Sequence, residues 1–146
     1  MQLRLLDTLR EKLGATYTPN SLSIASNTFD GFGALVVFVP AQPSTFGQVD
    51  KAIRSIAADL TAKPVGADEI LRARKPMLEN YQKELRQNSS WLAPTANAQS
   101  KPDRLLRFRT REAELASITA ANIQVEAKKW LTGQPVEIQS LPIEKK

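Results

Sequence analysis

The run Gly33 to Val39, GALVVFV, constrains the fold most tightly. It is apolar, rich in β-branched residues and too short to be a helix of its own, so it reads as a strand buried on both faces. Just ahead of it, Asn27 to Gly31 (NTFDG) has turn chemistry, and Asp30-Gly31 is the strongest hairpin signal in the chain. Residues 15–27 read as a strand with a polar bias that holds Tyr17, Leu22 and Ile24, with Pro19 and Asn20 as a break or bulge. These two strands are expected to pair antiparallel.

Helical patterns fill most of the remainder. Leu3, Leu6, Leu9 and Leu13 recur at spacings of three and four, with Leu5 widening the face. Gly14 follows as the left-handed residue that ends the helix. Ser44 is placed to cap a helix running to about Ala62, with Val49, Ile53, Ile56 and Leu60 on one face. Lys63 to Gly66 breaks it. A long helix then runs from Ala67 or Asp68 to about Gln87, with Leu71, Leu78 and Leu85 every seventh residue and Pro76 inside it. Further helices are expected from Trp91, from Leu105 to Ile118, and from Ala120 to Leu131 behind a Thr119 cap, the last facing Ile123, Ala127, Trp130 and Leu131 inward. Val136, Ile138 and Leu141 read as a closing strand that ends at Pro142, followed by a frayed tail, Glu144 to Lys146. The order predicts an α+β fold: a two-layer sandwich in which an antiparallel sheet is covered on one face by helices. At 146 residues, 42% of them apolar, the chain suits one domain with a real core.

The residue types that are missing narrow the chemistry. There is no Cys, hence no disulfide framework and no thiolate nucleophile. There is no His, hence no imidazole base or ligand, and a zinc site of carboxylates alone is a poor prospect. Glu69, Glu79 and Glu84 share one helix and read as exposed charges. The net charge of +5 is spread thinly among acids, so no nucleic-acid partner is expected. The basic cluster Lys101, Arg104, Arg107, Arg109 and Arg111 reads as a solvated helix face, and Trp91 and Trp130 as core residues. No apolar run reaches the roughly 20 residues that span a bilayer, so no membrane partner is expected either. The chain opens inside a helical pattern, which predicts that it is a piece of a longer protein.

The segment Leu9 to Pro19, LREKLGATYTP, resembles the C-terminal-half signature of the pitrilysin/insulinase-type zinc metallopeptidases. In that family a charged helix ends in an Arg-Glu-Lys-x-Gly-like turn, and a strand bearing Tyr follows. The hairpin, the buried strand, the helix VGADEILRARKPMLENYQKEL, Trp91 on a second helix and the closing SITAANIQVEAKKWL follow in the family's order, so the resemblance covers nearly the whole chain.

The resemblance implies a domain of the pitrilysin/mitochondrial-processing-peptidase type, incomplete. Residues 1–146 would be a single partial domain, the later part of the C-terminal, substrate-binding half of a zinc metalloendopeptidase. The family's His-x-x-Glu-His motif belongs to the N-terminal half and is absent here, so no catalytic residue and no metal ligand are assigned. Zinc would be the cofactor of the parent enzyme, and the chain alone would be inactive. By resemblance Arg10 and Tyr17 reach across to the catalytic site and bind extended peptide substrate. A guanidinium can hold peptide carbonyls in its fork, and a phenol can donate to the oxyanion formed at a metal-activated attack. The implied partners are a peptide substrate and the N-terminal catalytic half or a partner subunit. Association with another copy through an unpaired sheet edge is also expected. By analogy the compartment is the bacterial periplasm. The alternative is a structural or partner subunit of the same family with no peptidase role.

Overall fold

The computed structural model describes residues 1–26, 28–29, 31–96 and 98–141. Six α-helices and one two-stranded antiparallel sheet among them make the class α+β. The chain divides into two compact units, Met1–Pro64 with the stretch from Gln124 onward, and Val65–Ile123.

The first unit opens with α1, Gln2–Leu5, which widens without a break into a π-helical turn, Leu6–Lys12. Leu5 and Leu9 are the most deeply buried large side chains, each 0% exposed. They stand four apart and face α2, Phe46–Ala62, which returns Val49, Ile56 and Leu60 to the same core. In an α-helix Leu13 would stay on this face, four residues beyond Leu9. Here it is the residue that ends the π turn, next to the Gly14 corner, and it is exposed. Of the four leucines expected on one face, Leu9 is buried, Leu3 and Leu6 are half-buried and Leu13 is exposed.

Strand β1, Asn20–Ala25, pairs with β2, Gly33–Phe38, in the register Asn20↔Phe38, Leu22↔Val36, Ile24↔Ala34. The expected antiparallel hairpin is present. Gly31 takes a φ of 72°, and the Ser26 hydroxyl accepts from the Thr28 and Phe29 amides at 3.1 and 2.9 Å. The Asn27 and Asp30 parts of the expected turn lie outside the described residues. Two readings need correction. β1 starts at Asn20 and not at residue 15, because Pro19 offers no amide to a ladder. β2 is not buried on both faces: Val36 and Phe38 are exposed, since no third strand or second layer covers that side among the described residues.

A 3-10 turn, Pro43–Thr45, leads into α2, so the N-cap position falls on Thr45 rather than Ser44. Thr45 uses its hydroxyl on the Gln42 carbonyl at 2.8 Å and does not cap the helix through its side chain. At the other end, Val136 and Ile138 are 90% and 88% exposed, and the stretch they occupy is not a strand. The expected pairing fails although the alternation is right, because strand structure needs a partner and none is seated there among the described residues. Glu137 is held instead by Arg54 at 3.4 Å. Pro142 and the expected tail lie outside the described residues.

The second unit holds α3, Ala67–Glu84, α4, Asn88–Thr95, and α5, Pro102–Ser117. Its centre is aromatic. Phe108 meets Tyr81 edge-on at 5.8 Å and Trp91 edge-on at 4.9 Å between ring centroids. The Trp91 indole donates to the Leu85 carbonyl at 3.1 Å. Of the apolar set Ile70, Leu71, Met77, Leu78, Tyr81 and Leu85 that the sequence offers for this helix, Tyr81 is buried, whereas Leu71 and Met77 are exposed. Helix α6, Ala120–Leu131, starts with a reciprocal cap: the Asn122 amide reaches the Thr119 hydroxyl at 3.2 Å, and the Thr119 amide reaches the Asn122 side-chain oxygen at 2.9 Å. The Thr119 cap was legible in the sequence. Ala127 is buried as expected, whereas Trp130 is exposed and donates to Glu126 at 3.0 Å.

Candidate functional site

The end of the π turn builds the site. Leu13 donates to the Thr8 carbonyl at 3.0 Å, and Ala15 donates to the Leu9 carbonyl at 2.9 Å. Between them Gly14 sits at φ 58°, the left-handed conformation that reverses the chain at helix ends. Past this corner, Thr16 and Pro19 are buried while Tyr17 and Thr18 face solvent. The loop is thus pinned at both flanks with its tip thrown outward, and the Tyr17 side chain is its tip, 84% exposed.

Arg10 lies on the π turn, on the near side of the corner. Its guanidinium Nε stands 3.3 Å from Glu11 Oε1, and its side chain is 51% exposed. An ion pair this open holds the guanidinium by only about 0–1 kcal/mol, so an arriving acceptor can take it over. Arg10 and Tyr17 therefore sit either side of Gly14 in one unit, both open to solvent. No hydrogen bond joins them, and Tyr17 stands on a loop and not on the expected strand.

A groove of about 380 Å³ runs along the other side of the same helical segment, lined by Arg4, Asp7, Thr8, Lys12, Ser55 and Asp59 among others. Arg4 closes on Asp59 across it at 2.6 Å. Neither Arg10 nor Tyr17 lines it. No sequence signal singled out this groove, because its walls come from segments some fifty residues apart.

The remaining candidates resolve into structural roles. Arg111 of the basic cluster pairs with Glu84 at 2.8 Å and stacks over Tyr81 and Phe108, 5.6 and 5.5 Å from the ring centroids. Arg107 pairs with Asp103 one turn away. Among the described residues no group of three or more Asp, Glu, His or Cys side chains is placed to hold a metal. The chain has neither His nor Cys, the usual nitrogen and sulfur ligands of protein zinc sites. No helix among the described residues is long and apolar enough to cross a membrane.

Comparison with known proteins gives a consistent match. Over 99 residues the chain is 31% identical to the chloroplastic stromal processing peptidase of Pisum sativum and 30% identical to that of Arabidopsis thaliana. The chloroplastic stromal processing peptidase of Oryza sativa subsp. indica is 29% identical over the same length. It is similar to part of a peptidase. Each match takes in 66% of this chain, and the chain spans 8% of the length of these relatives. No family model matches the chain, and no solved structure matches it.

Proposed function

We propose that this chain is a non-catalytic piece of the C-terminal half of a pitrilysin-type zinc metalloendopeptidase, where Arg10 and Tyr17 bind extended peptide and complete an active site whose zinc is held by the N-terminal half or a partner subunit. The observation that carries this reading is the corner at Gly14: a loosely held guanidinium on one side and a solvent-exposed phenol on a pinned loop on the other. Similarity to processing peptidases over two thirds of the chain supports it. An exposed aromatic held on an anchored loop is how proteins present a group to a ligand, since a rigid scaffold fixes the loop and leaves the side chain free to bind.

The chemistry assigned to each group is modest. Arg10 orients the substrate backbone by donating to its carbonyls. Tyr17 donates its hydroxyl to the carbonyl oxygen that gains charge as the peptide is attacked. In this reading residues 1–146 are one partial domain of the two-layer sandwich type, and the two-stranded sheet is completed by strands from the parent chain or from another copy.

The test uses the full-length peptidase. Tyr17→Phe is expected to lower turnover by about 100-fold, the usual loss for one oxyanion donor, and Arg10→Ala to lower it through lost substrate orientation, with the zinc content unchanged in both. Wild-type turnover in both variants refutes the assignment. The 146-residue chain alone is expected neither to cleave peptides nor to retain zinc through purification.

A further inference from the structure

The loop that carries Tyr17 is tied to the helix that carries Arg10 by the side chain of Gln2. The Gln2 amide Nε2 donates to the Pro19 carbonyl at 2.9 Å. Its Oε1 accepts from the Ser21 amide at 2.6 Å and from the Ser21 hydroxyl at 3.1 Å. One planar group thus takes the carbonyl before Asn20 and the amide after it, as the backbone of a neighbouring parallel strand would. Only one N–H of the side-chain amide is left over.

The near end of the loop is fixed by the Leu13 and Ala15 amides on the π turn and by the buried Thr16. The far end has the buried Pro19, which brings no amide of its own, so its hydrogen bond to the helix is the one its carbonyl accepts from Gln2. Tyr17 lies between these two anchors and buries little of its own ring, so packing of that ring does not set where it points. We propose that Gln2 is a positioning residue of the Arg10–Tyr17 site: it sets the distance between guanidinium and phenol by clamping Pro19 and Ser21 to the start of the Arg10 helix. This rests on the peptide-binding reading above and goes beyond it, because Gln2 touches no substrate.

The test is a double-mutant cycle on the 146-residue chain, with binding of a fluorescein-labelled peptide that is unstructured in solution read by anisotropy. Gln2→Leu keeps the bulk of the side chain and removes all three hydrogen bonds. It is expected to weaken binding about tenfold and to speed hydrogen exchange at the Ser21 amide, while the unfolding midpoint of the rest of the chain holds. In Gln2→Leu/Tyr17→Ala the loss is expected to equal that of Tyr17→Ala alone, because a clamp has no value once the group it aims is gone. A merely structural role makes the two losses add. Gln2→Glu, which keeps the acceptor for Ser21 and sets an oxygen against the Pro19 carbonyl, serves if Gln2→Leu fails to fold, with the same loss expected. Wild-type binding by the Gln2 variants, or full additivity, overturns the inference while Arg10→Ala and Tyr17→Ala still lose affinity. Should those two also bind as wild type, the peptide-binding reading falls, and the positioning role falls with it.

Discussion

A ring that lies in solvent can be altered without moving the fold, and Tyr17 is such a ring. Tyr17→Phe and Arg10→Ala are expected to leave the unfolding free energy within about 0.5 kcal/mol of wild type, measured by urea titration. Phe108→Ala should behave in the opposite way. It deletes the ring that Tyr81 and Trp91 both meet edge-on, and a cost of about 3–5 kcal/mol is expected in the same titration. The contrast separates side chains open to solvent from side chains that pack the core. Arg10 and Tyr17 are singled out through the resemblance of LREKLGATYTP to a family signature, a pattern confined to a few neighbouring residues. Gln2 could not be, because its partners lie 17 and 19 residues away and nothing local marks a glutamine that will reach them.

At the scale of elements, legibility followed how local each cause is. The α6 cap was readable because Thr119 and Asn122 are three residues apart, and Thr119→Ala is expected to cost about 1 kcal/mol in thermal unfolding. The helix stop at Gly14 was readable for the same reason. With φ at 58° and nothing within 4 Å of where a Cβ would sit, Gly14→Ala strains the backbone and not the packing. The expected cost is about 1–2 kcal/mol, again by thermal unfolding, with peptide affinity lowered as the corner opens. The π turn was not readable: the same leucines and charges suit an α-helix, and only the backbone hydrogen bond from Leu13 to Thr8, five residues back, reveals the wider turn. The closing strand was misread for a related reason. Val136 and Ile138 alternate as a strand should, but pairing is a property of two segments, and the sequence names one.

At the scale of the whole molecule, the sheet is the element with most left undone. Two strands make a marginal sheet in water, and here Leu22, Ile24, Val36 and Phe38 line one face of it, all exposed. Contiguous apolar surface of this kind marks an interaction site more often than an accident of composition. If the chain completes its sheet with another copy, sedimentation equilibrium should show association that rises with protein concentration. Val36→Lys with Phe38→Lys places two like charges on that face without touching the Leu5 and Leu9 core. The double variant should then sediment as a monomer at concentrations where the wild type does not, with an unchanged far-UV circular dichroism spectrum. A wild-type chain that stays monomeric at millimolar concentration rules out self-association. It leaves the parent chain as the source of the missing strands, and a longer protein that covers this face would then protect the β1 and β2 amides from hydrogen exchange far better than the 146-residue chain does.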